Sequence, residues 1–201
     1  MKIFLILVVV GLVIAAGYYF NPLDRAPSIA TPSATTAPVV LETSMGEIGI
    51  ELFAQDAPNI VENFLKLAKQ GFYDGLSFHR VIPGFMVQGG DPNCGKNGGK
   101  DTGACGAGGP GYKLNDEINA SSALYKTGYK TGIVAMANSG PNTNGSQFFI
   151  MVADNPLPPN YTIFGRVVFG QDVANAISGA KRNASDRPLA PVTIEKIILA
   201  A

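Results

Sequence analysis

The sequence predicts a mainly β domain, closed or partly closed into a barrel, behind an apolar N-terminal segment. Three observations carry this. Glycine and proline supply 24 and 14 of the 201 residues, and so many turn formers favour short strands over a helical bundle. Short runs with strand-like alternation or β-branched content recur from Val39 to the C-terminus, while only two stretches repeat apolar residues at helical spacing. Ile3 to Phe20 is one unbroken apolar or small run, close to the roughly 20 residues that cross a bilayer as a helix. At this length there is room for one domain and an accessory segment. Fifteen basic residues balance fifteen acidic ones without any basic cluster, so nucleic acid is not an expected partner.

Taken in order, residues 1–20 are membrane-directed. Tyr18, Tyr19 and Phe20 suit an interfacial aromatic belt, and Lys2 with the α-amino group would keep the start in the cytoplasm. A retained transmembrane anchor is therefore preferred to a cleaved signal, for which Ala15-Ala16-Gly17 would be the cleavage region. Residues 21–37 are rich in Pro, Ser and Thr and lack apolar periodicity, as a linker does. The globular part, 38–201, would then lie outside the cytoplasm as an anchored or exported, monomeric domain.

Val39 to Thr43, the turn Ser44-Met45-Gly46 and Glu47 to Phe53 read as a hairpin, with Ile48, Ile50 and Leu52 on one face. Asp56 is the expected N-cap of a helix with Pro58 in its first turn. Ile60, Val61, Phe64, Leu65, Leu67 and Ala68 follow at helical spacing until Gly71. Residues 78–91 read as two short strands around a kink at Pro83-Gly84. Within that apolar run Arg80 is an anomaly, since burial rules disfavour an unpaired cation. With Gln88, Phe85 and Met86 nearby, a few donors on an aromatic floor describe a small binding pocket better than a core. His79 would face away from Arg80 if the run is a strand.

Residues 94–111 form a glycine-rich surface loop that carries both cysteines, Cys94 and Cys105. A disulfide is the preferred reading in an oxidising compartment, with free thiols as the alternative. No metal is expected, because a structural zinc site takes four ligands and the chain has two Cys and one His. Gly106, Gly108 and Gly111 match GxGxxG, but Pro110 interrupts the match and no βαβ unit surrounds it, so no nucleotide cofactor follows. Lys113 to Glu117 is polar and unassigned. Gly132 to Ala137, Gln147 to Val152, Thr162 to Val168 and Val192 to Leu199 read as strands, and Gln171 to Ser178 as a short helix.

Two stretches stand out from this pattern. FHRVIPGFMVQGGD at 78–91 is followed by MANSGPNTNGSQFFI at 136–150. Together, in this order, they resemble the paired signature of cyclophilins, the peptidyl-prolyl isomerases, and the likeness runs from about Pro38 to the C-terminus. The resemblance implies a closed eight-stranded antiparallel β-barrel capped by two α-helices. It implies proline-containing polypeptides as substrates, no cofactor, and a catalytic group of Arg80, Phe85, Gln88 and Phe149. His79, Met86, Ala137, Asn138, Gln147, Leu157 and Tyr161 would line the substrate site. Many members carry a tryptophan just before the residue matched to Leu157; Pro156 stands there, which implies weak cyclosporin sensitivity. Tyr161 occupies a position where histidine is frequent.

The chemistry agrees with the resemblance. With one histidine and no GxSxG or HExxH motif, hydrolysis has no equipment. Rotating an X-Pro bond needs neither nucleophile nor base, only a pocket and a donor. The alternative function is a chaperone-like proline-peptide binding module with little turnover. Sequons at Asn119, Asn144, Asn160 and Asn183 are not expected to carry functional glycans, since such short motifs recur by chance.

Overall fold

A computed structural model describes residues 38–95 and 104–199. The expected membrane or signal helix over 1–20 and the linker over 21–37 lie outside the described residues. Among the described residues no helix is long and apolar enough to cross a membrane.

The hairpin forms as its alternation requires. β1 (Val39–Thr43) pairs antiparallel with β2 (Gly46–Leu52), and Val39, Leu41, Ile48 and Ile50 are buried on its inner face. α1 (Pro58–Lys69) follows, placing Ile60, Phe64 and Leu67 against the core. Its N-terminus departs from expectation. The cap position is Ala57, which offers no side-chain acceptor, and Asp56 stays exposed. Glu117 does the capping instead: its Oε1 accepts from the Asn59 N–H at 3.1 Å and its Oε2 from the Ile60 N–H at 2.9 Å. A carboxylate at a helix N-terminus satisfies orphan donors and complements the macrodipole. Glu117→Ala should therefore cost about 1–2 kcal/mol, read as a lowered urea midpoint; an unmoved midpoint would remove Glu117 from that role.

The remaining strands are β3 (Leu76–Ser77), β4 (Arg80–Ile82), β5 (Met86–Gly89), β6 (Ile133–Met136), β7 (Phe148–Met151), β8 (Ile163–Phe169) and β9 (Thr193–Ile198). All pair antiparallel in one sheet of order β3-β9-β1-β2-β8-β6-β7-β5-β4. The mainly β, antiparallel expectation is met, but its finer form needs correcting. The described residues hold nine strands, and no ladder joins the two end strands, so the sheet is curled and not closed by pairing. The physical reason lies in one stretch of chain. β3 and β4 are consecutive in sequence yet sit at opposite ends of the sheet, and Phe78 and His79 carry the chain between them. β3, which lies just before the run read as strands, pairs with β9, while β4 pairs with β5.

Among the described residues there are three helices, where two were expected in the domain. α2 (Ala123–Thr127) is too short for a periodic signal, while α3 (Gln171–Ser178) lies where its spacing placed it. α3 starts at Gly170, whose φ is 78°; a Cβ there would sit 2.0 Å from the Glu47 carbonyl oxygen, so the close approach to β2 requires glycine.

Two apolar clusters flank the sheet. Phe64, on α1, meets Phe148 edge-on at 5.8 Å and Phe164 at 5.3 Å inside the curl. β6 and β7 are buried along their whole length. Val134, Met136, Phe148 and Ile150 face inward, while Ile133, Ala135, Phe149 and Met151 form a second cluster with Met86, Tyr129 and Ile163. Strand side chains alternate between faces, so the second cluster is the outer face of this part of the sheet.

Candidate active site

The two motifs meet on that outer face because their strands are neighbours. Arg80 pairs across β4 and β5 with Gln88, Gln88 across β5 and β7 with Phe149, and Phe149 across β7 and β6 with Ala135. Directly opposed residues share a face, so these side chains form one row from a charged edge to an apolar centre. Above the row lies a cleft of about 550 Å³ lined by Arg80, His79, Phe85, Met86, Gln88, Ala137, Asn138, Phe149, Leu157 and Tyr161. Gln147 stands apart from it. It lines an adjoining hollow of about 360 Å³ that shares Gln88, Ala137 and Asn138 with the cleft.

The apolar floor is closely packed. Phe149 is 5% exposed, and the Tyr161 ring meets it edge-on with centroids 5.5 Å apart. Tyr161 is in turn held by two tyrosines that sequence reading missed. The Tyr129 hydroxyl donates to the Tyr161 carbonyl at 2.8 Å and accepts from its N–H at 3.1 Å. The Tyr125 hydroxyl, from α2, accepts from the Ile163 N–H at 3.0 Å. Burial raises both phenols, Tyr125 to about 12, so they remain neutral donors at ordinary pH. Their spacing of four residues was the available signal. On the facing side Asn138 donates from Nδ2 to the Asn160 carbonyl at 2.8 Å, joining the second motif to the loop that carries Leu157.

Arg80 is not the buried cation its apolar neighbours suggested. β4 is an end strand, and the Arg80 side chain is 44% exposed. Its Nε lies 3.9 Å from Asp186 Oδ2, a carboxylate that also takes the Arg182 Nε at 3.2 Å. An open pair at that distance is worth little to stability. His79 lies outside any strand and lines the same cleft as Arg80, but it is only 6% exposed, and neither ring nitrogen makes a hydrogen bond of normal geometry, although the Ser77 backbone lies close enough to favour the charged form. Burial lowers its pKa, with Arg187 adding to this and Asp91 opposing it.

A polar scaffold fixes the glutamines. Gln88 donates from Nε2 to Gln147 Oε1 at 2.9 Å. Gln147 Nε2 is shared among Asp91 Oδ2 at 3.1 Å and the carbonyls of Gly106 at 3.1 Å and Gly108 at 2.9 Å. Asp91 is fully buried and also accepts the N–H groups of Gly106 at 2.6 Å, Gly108 at 2.9 Å and Asn93 at 2.7 Å. Cys94 and Cys105 are joined as a disulfide, Cα atoms 5.1 Å apart, which brings Cys105 and Gly106 to the wall of the cleft. Ser185 and Arg187 complete that wall from a distant loop that offered no sequence signal. The sequon at Asn144 is fully buried, and its Nδ2 donates to the Asp116 carboxylate at 2.8 Å.

Comparison with known proteins adds the following. The family model described as "Cyclophilin type peptidyl-prolyl cis-trans isomerase/CLD" matches residues 38–198. A peptidyl-prolyl cis-trans isomerase of Schizosaccharomyces pombe is 48% identical over 163 residues, 81% of this chain and 98% of that protein. One from Arabidopsis thaliana is 45% identical over 164 residues, covering 81% and 96%. A crystal structure of a cyclophilin type peptidyl-prolyl cis-trans isomerase from Cryptosporidium parvum superposes with a TM-score of 0.71 at 33% identity, covering 83% of this chain and 98% of that one. Another structure of that protein, in the presence of the dipeptide Ala-Pro, gives a TM-score of 0.70.

Proposed function

The chain belongs to the cyclophilin-type peptidyl-prolyl cis-trans isomerases, and from that membership we propose that it turns over X-Pro bonds in polypeptides outside the cytoplasm, with Arg80 as the donor to the prolyl amide. The observation that carries the donor assignment is the row Arg80, Gln88, Phe149, a charged edge beside an apolar floor in one cleft. The relative solved in the presence of Ala-Pro supports a proline-containing ligand of the same class.

The mechanism follows from amide chemistry. Resonance sets a barrier of about 18–20 kcal/mol, and twisting the bond returns a lone pair to the prolyl nitrogen. The pyrrolidine ring packs on Phe149, Met86, Phe85 and Leu157. A guanidinium N–H from Arg80 then bonds that lone pair, which is absent in the planar ground state, so the interaction favours the transition state selectively. Gln88 uses one amide hydrogen on Gln147 and has a second for a substrate carbonyl. Ala137 and Asn138 run alongside the peptide backbone. Nucleophile, base and cofactor have no part in this route. The test compares turnover with binding: Arg80→Ala should keep proline-peptide affinity within a few-fold while exchange between cis and trans peptide signals slows. Unchanged exchange would overturn the donor role.

The setting rests on residues 1–37. An apolar run ending in Tyr18-Tyr19-Phe20 and a Pro/Ser/Thr-rich tether support an anchor with the domain, 38–201, beyond the membrane. A disulfide between Cys94 and Cys105 is at home in an oxidising compartment. A C-terminal fusion to a phosphatase that is active only after export and disulfide formation should be active in cells. An inactive but intact fusion would place the domain in the cytoplasm instead.

A further inference from the structure

The only histidine and the only two cysteines of the chain converge on one spot. The ligand-capable atoms of His79, Cys94 and Cys105 all lie within 4.8 Å of one another. His79 and Cys94 are 6% and 4% exposed, and His79 brings two ring nitrogens that make no hydrogen bond of normal geometry. A buried imidazole without a good partner is costly, and nothing in the isomerase chemistry uses its nitrogens. A tetrahedral zinc ion needs thiolate and imidazole atoms about 3.5–3.8 Å apart, from Zn–S and Zn–N distances of about 2.3 and 2.0 Å. Once the sulfurs are unbonded, small side-chain rotations reach that spacing.

We infer that reduction of the Cys94–Cys105 disulfide creates a site for a divalent ion of the zinc class, held by the two thiolates and the His79 imidazole. Counting ligands in the sequence argued against a closed four-ligand site; three protein ligands with one open position make a different kind of site. The steps balance with a dithiol reductant. A thiolate of the reductant attacks one sulfur, the Cys94–Cys105 bond breaks, and the reductant closes its own disulfide, leaving two cysteine thiols. The ion then displaces both thiol protons, and its two positive charges are neutralised by two thiolates, so the nearby Arg187 does not repel it. Thiolate and imidazole together select zinc-like ions over magnesium or calcium. Because His79 and Cys105 line the cleft, the fourth position goes to water or to a group of a bound peptide.

The experiment uses the full-length chain in mild detergent, free of tag histidines, so that any imidazole–thiolate complex must be this one. Oxidised protein, and protein reduced with a phosphine and desalted without air, are titrated with Co²⁺ and then Zn²⁺. The expected result is an equimolar cobalt complex with thiolate charge-transfer absorption in the reduced form only, displaced by zinc with release of protons. The His79 ring signals in the NMR spectrum should shift on adding zinc. His79→Gln should weaken binding roughly tenfold or more. No charge-transfer band in the reduced protein, or zinc binding that leaves the His79 ring signals in place, would overturn the site. Should His79→Gln fail to fold, the ring signals of the unsubstituted protein decide alone.

Discussion

Arg80→Ala should lower kcat/KM on an X-Pro peptide by roughly tenfold to a hundredfold or more, since a charge-assisted hydrogen bond is worth about 1.5–3 kcal/mol and each 1.36 kcal/mol is a decade in rate. The loss should fall on kcat more than on KM, because the bond is made to a lone pair that exists only in the twisted amide. Stability should barely change. The side chain is 44% exposed and its contact with Asp186 is 3.9 Å long, so its removal leaves no buried group stranded. Arg80→Lys keeps the charge but loses the planar fork, and should recover only part of the rate. A protease-coupled assay with equal kcat/KM for wild type and Arg80→Ala would remove Arg80 from the donor role, whereas negligible turnover by the wild type itself would favour a binding module.

The exposure of Arg80 shows where sequence reading reaches its limit. The apolar residues around it read as two short strands about the Pro83-Gly84 kink, yet nothing local distinguishes an end strand, as β4 is, from a central one. Periodicity served well where one face is buried, as in β1, β2, α1 and α3. It failed at α2, which is barely longer than a turn, and at the cap of α1, where the acceptor Glu117 comes from a distant loop. The site divides the same way. Arg80, Gln88 and Phe149 were named through the resemblance of the two motifs, and strand pairing sets them side by side. Ser185, Arg187 and Asp91 were not named, because each acts through a tertiary contact that no spacing encodes, and Tyr125 and Tyr129 left only a spacing of four residues as a signal. The extra strand is β3, whose two residues, Leu76 and Ser77, lie just before the run read as strands and are too few for an alternation to show.

Asp91 is the clearest of those omissions, and its replacement should have the largest effect on stability. Its carboxylate is fully buried and accepts from three backbone N–H groups and the Gln147 amide. A Cβ on Gly108 would meet Asp91 Oδ1 at 2.1 Å, which shows how closely the loop is drawn onto it. Asp91→Ala removes the shared acceptor while the Cys94–Cys105 bond keeps the loop from moving far, so the donors stay near a void. An unsatisfied buried donor costs about 1–3 kcal/mol; with water relieving part of the set, a loss of about 3–5 kcal/mol is expected. Asp91→Asn keeps the shape but turns an N–H toward other N–H groups, and should recover only part of the loss. The same change should lower kcat, because Gln147 loses an anchor and Gln88 is aimed through Gln147. Urea unfolding of the full-length chain, alongside isomerase rates, separates the two effects. A stability loss below about 1 kcal/mol would mean that the disulfide and the loop's own turns hold this wall without the carboxylate, and an unchanged kcat would detach Gln88 from the scaffold that Asp91 anchors.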